Sequence, residues 1–362
     1  MKTIKSIIIP ALTLITVTSC NTKVRVNTVI NEDGTCCREV SYYRQVEEKN
    51  LDNYKKGLLS DTAVAPIPQN ICVDGMVKGE STLNKDTLTI TFRKDYESVE
   101  EMPMPILHEG KVLKSKPRFE KKFKWFYTKY TYTETFEGFK DKLPIPIDQI
   151  TGKDTVSYWF TGSPDIIGRN ITGAEVAEKI EVVKNKVNRW VDDNITQIVF
   201  TAIADQYDSI KSAPLTKEEF INSCDSFKAF LFNSDKHYFA GDFNFKPNEV
   251  FKDFYKTDAY DIFFDDDNPS SKLVSSKVME FIRLFDWEIS YTIQMPGLIC
   301  ADRQMAEICE NKVLFTISGE KLLAGDYTIS VTTRKTNTWA FLVTGIIIVI
   351  AIGSFIYGRK KK

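Results

Sequence analysis

Apolar and polar positions alternate in the first part of the chain. Val24, Val26, Thr28 and Ile30 interleave with Arg25 and Asn27, a period of two that predicts a strand with one buried face. Glu32-Asp33-Gly34 supplies a turn, and a second strand is predicted over about Cys36 to Val46. Leu88, Ile90 and Phe92 alternate with Thr89, Thr91 and Arg93. Phe123, Trp125 and Tyr127 begin another alternation, and its phase then shifts to Phe126, Tyr130 and Tyr132. A β-bulge near Trp125-Phe126 would produce that shift. Val156, Tyr158 and Phe160 predict a short strand after the connection marked by Pro144 and Pro146.

The period then changes to about 3.6. Thr172 and Glu175 fit a capping box ahead of an apolar stripe at Val176, Ile180, Val183, Val187 and Trp190. Thr216 and Glu219 fit a second box, leading into a helix with Phe220, Cys224, Phe227 and Leu231 on one side. A third helix is predicted after Pro247, and a fourth through Leu273, Val274, Val278, Phe281, Ile282 and Phe285. Period two returns at Trp287, Ile289, Tyr291, Ile293 and Met295, and Pro296-Gly297 breaks it. Val313, Phe315 and Ile317 predict a further strand, and Tyr327, Ile329, Val331 and Thr333 the last. The expected fold is α+β: a mostly antiparallel β-sheet domain with an inserted helical layer.

The two ends have their own patterns. Lys2 and Lys5, an apolar stretch from Ile7 to Val17, and Val17-Thr18-Ser19-Cys20 have the order of a secretory signal closed by a lipobox. Cys20 is the expected lipidation site, with acyl chains such as palmitate on its sulfur; an ordinary signal with a coincidental cysteine is the plain alternative. Residues 339–357 carry no charge, and such a helix is roughly 28 Å long, near the ~30 Å hydrocarbon core. Trp339 and Tyr357 sit at its ends, where amphipathic rings prefer the interface, and Arg359 to Lys362 predict a cytoplasmic tail. The plan is therefore 1-19 signal peptide, 20-163 β-rich, 164-285 helical insertion, 286-335 closing strands, 339-357 transmembrane helix and 358-362 basic tail. Both tethers are short. The first strand is expected to leave the membrane and the last to return to it, pairing antiparallel if they are neighbours.

Charge and cysteines change this picture little. The signal and tail hold six of the 48 Lys+Arg, leaving the outward part at 42 against 49 Asp+Glu, a net of −7 that gives no reason to invoke nucleic acid. Cys36, Cys37, Cys72, Cys224, Cys300 and Cys309 remain after Cys20, an even number that permits disulfides in an exported protein, with free, partly buried thiols the equal alternative.

Asn31-Glu32-Asp33-Gly34-Thr35, Met295-Pro296-Gly297 and a final strand running into a bilayer helix resemble the uncharacterised membrane-anchored lipoproteins of Bacteroidetes. They are also similar to the LppM-like domain of actinobacterial lipoproteins, whose middle is shorter. The resemblance implies an envelope protein and supplies no catalytic residues. Thr62, Thr87, Thr155 and Ser209 stand in Asp-Ser/Thr-aliphatic or small triplets that resemble the Bacteroidetes O-glycosylation motif; the same pairs are ordinary turn and cap residues.

Motifs for chemistry are few. His108, in a Pro-rich loop, and His237, between helices, have no metal-ligand or nucleophile spacing, and no GxSxG, P-loop or GxGxxG occurs. Asp265-Asp266-Asp267-Asn268 offers oxygens for calcium, but a solvated turn before a helix at Ser270 is the simpler reading. Phe123 to Tyr127 mixes aromatic and basic residues, as a glycan or lipid-headgroup site or as a half-buried strand. No enzyme, cofactor or metal is expected. The expected protein is an inner-membrane-anchored periplasmic binding or assembly module. It touches membrane lipid through Cys20 and residues 339–357, and its partner is another envelope component. The alternative is a lipid- or glycan-handling protein with a cavity between sheet and helices.

Overall fold

The computed structural model describes residues 22–46, 52, 71–108, 111–151, 173–233, 247–284, 288–300, 307–309 and 311–360. The chain divides into a sheet unit, Thr22–Glu137 with Ile289–Ile317 and Tyr327–Lys362, and a helical unit, Gly138–Glu288 with Ser318–Asp326. The fold is α+β.

In the sheet unit the period-two segments form strands with one buried face. β1 (Thr22–Ile30) buries Val24, Val26, Thr28 and Ile30, and β2 (Cys36–Gln45) pairs with it antiparallel across the Asn31–Thr35 turn. Gly34 takes a positive φ of 94° there, a conformation other residues reach only with strain. β3 (Val77–Asn84) and β4 (Thr87–Tyr96) add to β2. β5 (Leu107–His108) and β6 (Lys111–Val112) form a small ribbon, so His108 lies in a two-residue strand. β7 (Ser115–Phe123) and β8 (Tyr127–Phe136) form a hairpin. β9 (Glu288–Gln294), β10 (Leu298–Ile299), β11 (Glu307–Cys309), β12 (Lys312–Ser318) and β13 (Tyr327–Thr336) complete the strands.

They assemble as a seven-stranded sheet, β11-β12-β9-β1-β2-β4-β3, and a four-stranded sheet, β10-β13-β8-β7. β1 pairs with β9 in parallel, from Val24↔Ile289 to Val29↔Gln294, while β1–β2, β2–β4, β3–β4, β7–β8, β8–β13, β10–β13 and β11–β12 pair antiparallel. Hairpin connections force antiparallel neighbours, but β9 arrives after the whole helical segment and its direction is free. The inner faces of the two sheets share a core that includes Val26, Val40, Tyr42, Tyr132, Phe136, Tyr291 and Ile329.

The expected bulge at Trp125-Phe126 is instead a two-residue turn. Lys124 and Tyr127 close it with N–H to carbonyl bonds of 2.8 and 3.2 Å, and the phase shift is the chain reversing. Sequence periodicity also passed over β7, whose alternation is hidden by charge: Lys116, Arg118, Glu120, Lys121 and Lys122 are all exposed, and of the strand's nine residues only Pro117 is buried.

The helical unit begins at Gly138, ahead of the change of period at 164. Loop residues 144–147 belong to it because Trp190 Nε1 donates to the Ile145 carbonyl at 2.6 Å and the Asn194 amide brackets the Ile145 backbone. Its described helices are α1 (Asp148–Thr151), α2 (Gly173–Asp205), α3 (Lys217–Asn222), α4 (Cys224–Asn233), α5 (Pro247–Tyr255) and α6 (Pro269–Ile282). Thr216 and Glu219 form the expected capping box, but the helix breaks at Ser223, whose hydroxyl is drawn to the Phe220 carbonyl and to Tyr255. Phe220, Cys224, Phe227 and Leu231 are all buried, stacked with Phe200, Phe251 and Tyr260. In α6 Val274, Val278 and Phe281 are buried, while Leu273 faces out. The expected strand at Val156–Phe160, and Thr172 and His237, lie outside the described residues.

One titration is built into α2. Burial, with Asp193 beside it, pushes the Asp192 carboxyl up from 3.8 to about 7. Between those values the folded chain holds the proton and the unfolded chain has released it, so stability falls as pH rises from about 4 to about 7. Asp192→Asn is expected to flatten that slope and to stabilise the protein at neutral pH by about 2 kcal/mol after allowance for partial exposure, with little change near pH 4. Thermal melts of both proteins across this pH range check it.

Candidate membrane interface and polar core

Beyond β13 the chain continues as α7 (Thr338–Lys360). Thr338–Arg359 is long and apolar enough to cross a bilayer, with a mean hydropathy of 2.5, and only 6% of its most apolar stretch is buried. A helix of a soluble core would be mostly covered; this one leaves Leu342, Val349 and Phe355 in the open.

The β7–β8 turn meets the first two turns of this helix. The Asn337 side chain donates to the carbonyls of Lys124 and Trp125 at 2.8 and 3.2 Å and accepts from the Thr128 hydroxyl, while its backbone N–H donates to Phe126. Trp125 Nε1 donates to the Thr344 hydroxyl at 2.9 Å. Phe123 stacks on Trp339, Trp125 meets the same ring edge-on, and Phe126 packs on Phe341. Phe123, Trp125 and Phe126 remain 58%, 45% and 42% exposed even so. The aromatic-basic run is thus neither a bulge nor a half-buried strand. It is a hairpin tip of amphipathic rings at the root of an apolar helix, the composition that bilayer interfaces favour.

The first strand also runs toward this end. β1 leads into Glu32, which accepts from Lys335 of β13 and from Tyr130, while Lys121 donates to the Glu32 carbonyl. Lys335 bonding holds the Glu32 carboxyl below its usual range. β1 and β13 lie in different sheets and are not neighbours, and both run toward the helix, so the first strand does not lead away from it as expected. The nine residues of β1 place Thr22 about 30 Å from the helix root at ~3.3 Å per residue. Two residues, about 7 Å of chain, separate Thr22 from position 20.

Between the sheets lies a buried polar network. Arg38 (β2) and Glu134 (β8) form an ion pair at 3.4 Å with both side chains fully buried. Arg38 also donates to Thr28, to the Pro103 carbonyl at 2.6 Å and to Tyr291. Glu134 accepts from Ser115 at 2.6 Å and from Tyr132 and Tyr291, each at 2.7 Å. Burial pushes the Tyr132 and Tyr291 hydroxyls up; for Arg38 burial is overridden by Tyr291 and Glu134, which hold the guanidinium charged. Each group has its partners, and the members come from β1, β2, β7, β8 and β9. The network registers one sheet on the other. It is closed to solvent, so substrate chemistry has no access to it.

The outer face of the seven-stranded sheet carries a polar cleft of about 480 Å³. Asn27, Glu39 and Arg93 stand in one cross-strand row of it and Val29, Cys37 and Asp95 in the next. The Cys37 thiol is pushed up to about 11 by burial and by its bond to Asp95, which disfavours the reactive thiolate. All six cysteines from Cys36 to Cys309 are free thiols. In the helical unit the void lined by Val199, Phe200, Phe227 and Phe251 is about 30 Å³, a water-sized space and no lodging for a lipid chain.

The remaining sequence-marked positions fall apart from one another. Thr87 opens β4 and donates to Asp86 at 3.3 Å; Ser209 is exposed and donates to the Gln206 carbonyl at 2.7 Å. Cys20, Thr62 and Thr155 lie outside the described residues. Asp265 accepts from the Asp267 N–H and Asn268 caps α6, the solvated-turn arrangement, and among the described residues no His, Cys, Asp or Glu group converges as a metal site. No protein-family model, curated protein or solved structure matches the chain.

Proposed function

We propose that the protein is a non-enzymatic envelope module, held in the bacterial inner membrane by α7 with its sheet and helical units in the periplasm. There it binds or assembles another envelope component. The observation that carries this reading is the helix itself: apolar, almost wholly unburied, and rooted by Asn337 and Trp339 against an exposed aromatic tip. Arg359 to Lys362 follow its uncharged stretch, the charge bias of a cytoplasmic end. The polar cleft around Glu39, Arg93 and Asp95 is the concave surface available for a periplasmic ligand. The direction of β1 makes α7 the anchor that sets the body's pose, because a lipid at the far end reaches the same bilayer only if the strands lie along its plane.

Fractionation with protease protection tests the proposal. The chain is expected in the alkali-washed membrane pellet, with its body cleaved when protease is added to spheroplasts. A chain in the aqueous fraction, or a body shielded in spheroplasts, refutes it.

A further inference from the structure

The outer face of the four-stranded sheet carries three basic residues in one cross-strand row. Lys122 of β7 pairs with Lys129 of β8, and Lys129 with Arg334 of β13. Residues directly opposite each other share a face, and like charges in such positions repel. The face does little to offset this. Glu120 pairs with Lys122 at 2.7 Å, and no ion pair reaches Lys129 or Arg334 among the described residues. The other outward positions toward the far end of β8 and β13 are neutral: Thr131, Thr133, Thr135, Thr328, Ser330 and Thr332. Arg334 leans toward the tip, its guanidinium 5.1 Å from the centre of the Tyr127 ring. Exposed Leu298 closes the row beyond Arg334.

The row also lies at a particular height. Arg334 precedes Asn337 by three strand residues, roughly 10 Å, and Trp339 and Trp125 mark the interface just below. Long basic side chains at that height reach headgroup phosphates. Positive charge beside the outer end of a span also runs against the usual bias, so it calls for an anionic counterpart on that side.

We infer that Lys122, Lys129 and Arg334 form a phosphate-binding row for anionic phospholipids in the leaflet beneath the sheet unit. This rests on α7 spanning the bilayer. The row gives that anchor lipid selectivity and fixes which face of the sandwich meets the headgroups. Each basic group near an anionic surface raises local occupancy about five-fold at low salt, and the effect fades as salt shortens the screening length.

The test uses the full chain in nanodiscs of phosphatidylcholine with about one-fifth phosphatidylglycerol. Lipids retained after mild detergent release are counted by native mass spectrometry. Wild type is expected to enrich phosphatidylglycerol several-fold over the input. K122Q/K129Q/R334Q is expected to fall to the level sustained by the basic tail, and K122R/K129R/R334K to keep the enrichment. Thermal melts verify that the variants fold. If the triple glutamine variant retains the wild-type ratio, the row does not bind headgroups and the anchor stands. If the wild type does not enter the discs, the anchor fails and the inference falls with it.

Discussion

Removing residues 338–360 is expected to release the folded protein into the aqueous fraction, the largest effect any change should have. The helix makes this asymmetric. It is nearly unburied, and the ring contacts that the sandwich loses are those of Phe123, Trp125 and Phe126. The membrane loses its hold completely, since each apolar residue near a span's centre contributes only a few tenths of a kcal/mol but roughly twenty act together. A milder version replaces Ile347 and Ile350 with Lys. At ~2.5–3.5 kcal/mol for each central charge, that pair should prevent stable insertion. Cys20→Ser is expected to change signal processing while leaving the chain in the pellet. The check is immunoblotting of the fractions, with circular dichroism of the released body. Retention of the truncated chain, coupled to release of Cys20→Ser, would mean that the lipid is the anchor.

Arg38→Met should be the most destabilising single substitution in the sheet unit, by about 3–5 kcal/mol. The loss comes chiefly from what is left behind. Glu134 stays buried with three hydroxyl donors and no positive charge, and the Pro103 carbonyl and Thr28 hydroxyl lose their donor. Replacing both charges, as Arg38→Met with Glu134→Leu, should recover a large part of that loss, because an apolar pair of similar volume carries no desolvation penalty. Denaturant melts of the two single variants and the double would show a strong favourable coupling. Additive losses would mean that the two groups do not act as a pair.

The strands were legible in the sequence wherever one face is apolar and the other polar. β1, β4, β9, β12 and β13 show that alternation, and their inward residues are buried, apart from Phe92 of β4, which is only half-buried. The network was partly legible as well. Arg38 occupies the inward phase between Cys36 and Val40, and Glu134 that between Tyr132 and Phe136. A charge in a buried phase needs a partner, but period two alone does not say on which strand it sits. β7 escaped because Lys and Arg fill both its exposed face and its edge, and the tip escaped with it, since no Gly or Asn marks the turn. The break at Ser223 was hidden because the apolar spacing continues through it. The parallel β1–β9 pair and the direction of β1 relative to the helix were beyond reach, because both depend on pairing between distant segments.

The central claim is a sandwich standing on the bilayer, its hairpin tip at the interface and the start of β1 far from it. Depth measurement by spin label tests this most directly, with the full chain in nanodiscs labelled at position 125 and, separately, at position 85. Lys85 is exposed in the β3–β4 turn, beside the end of β2 that pairs with Thr22. Position 125 should be relaxed by lipid-soluble oxygen and shielded from an aqueous nickel reagent, and position 85 the reverse, about 30 Å from the headgroups. Equal depths at the two positions, or a fully aqueous position 125, would contradict the account.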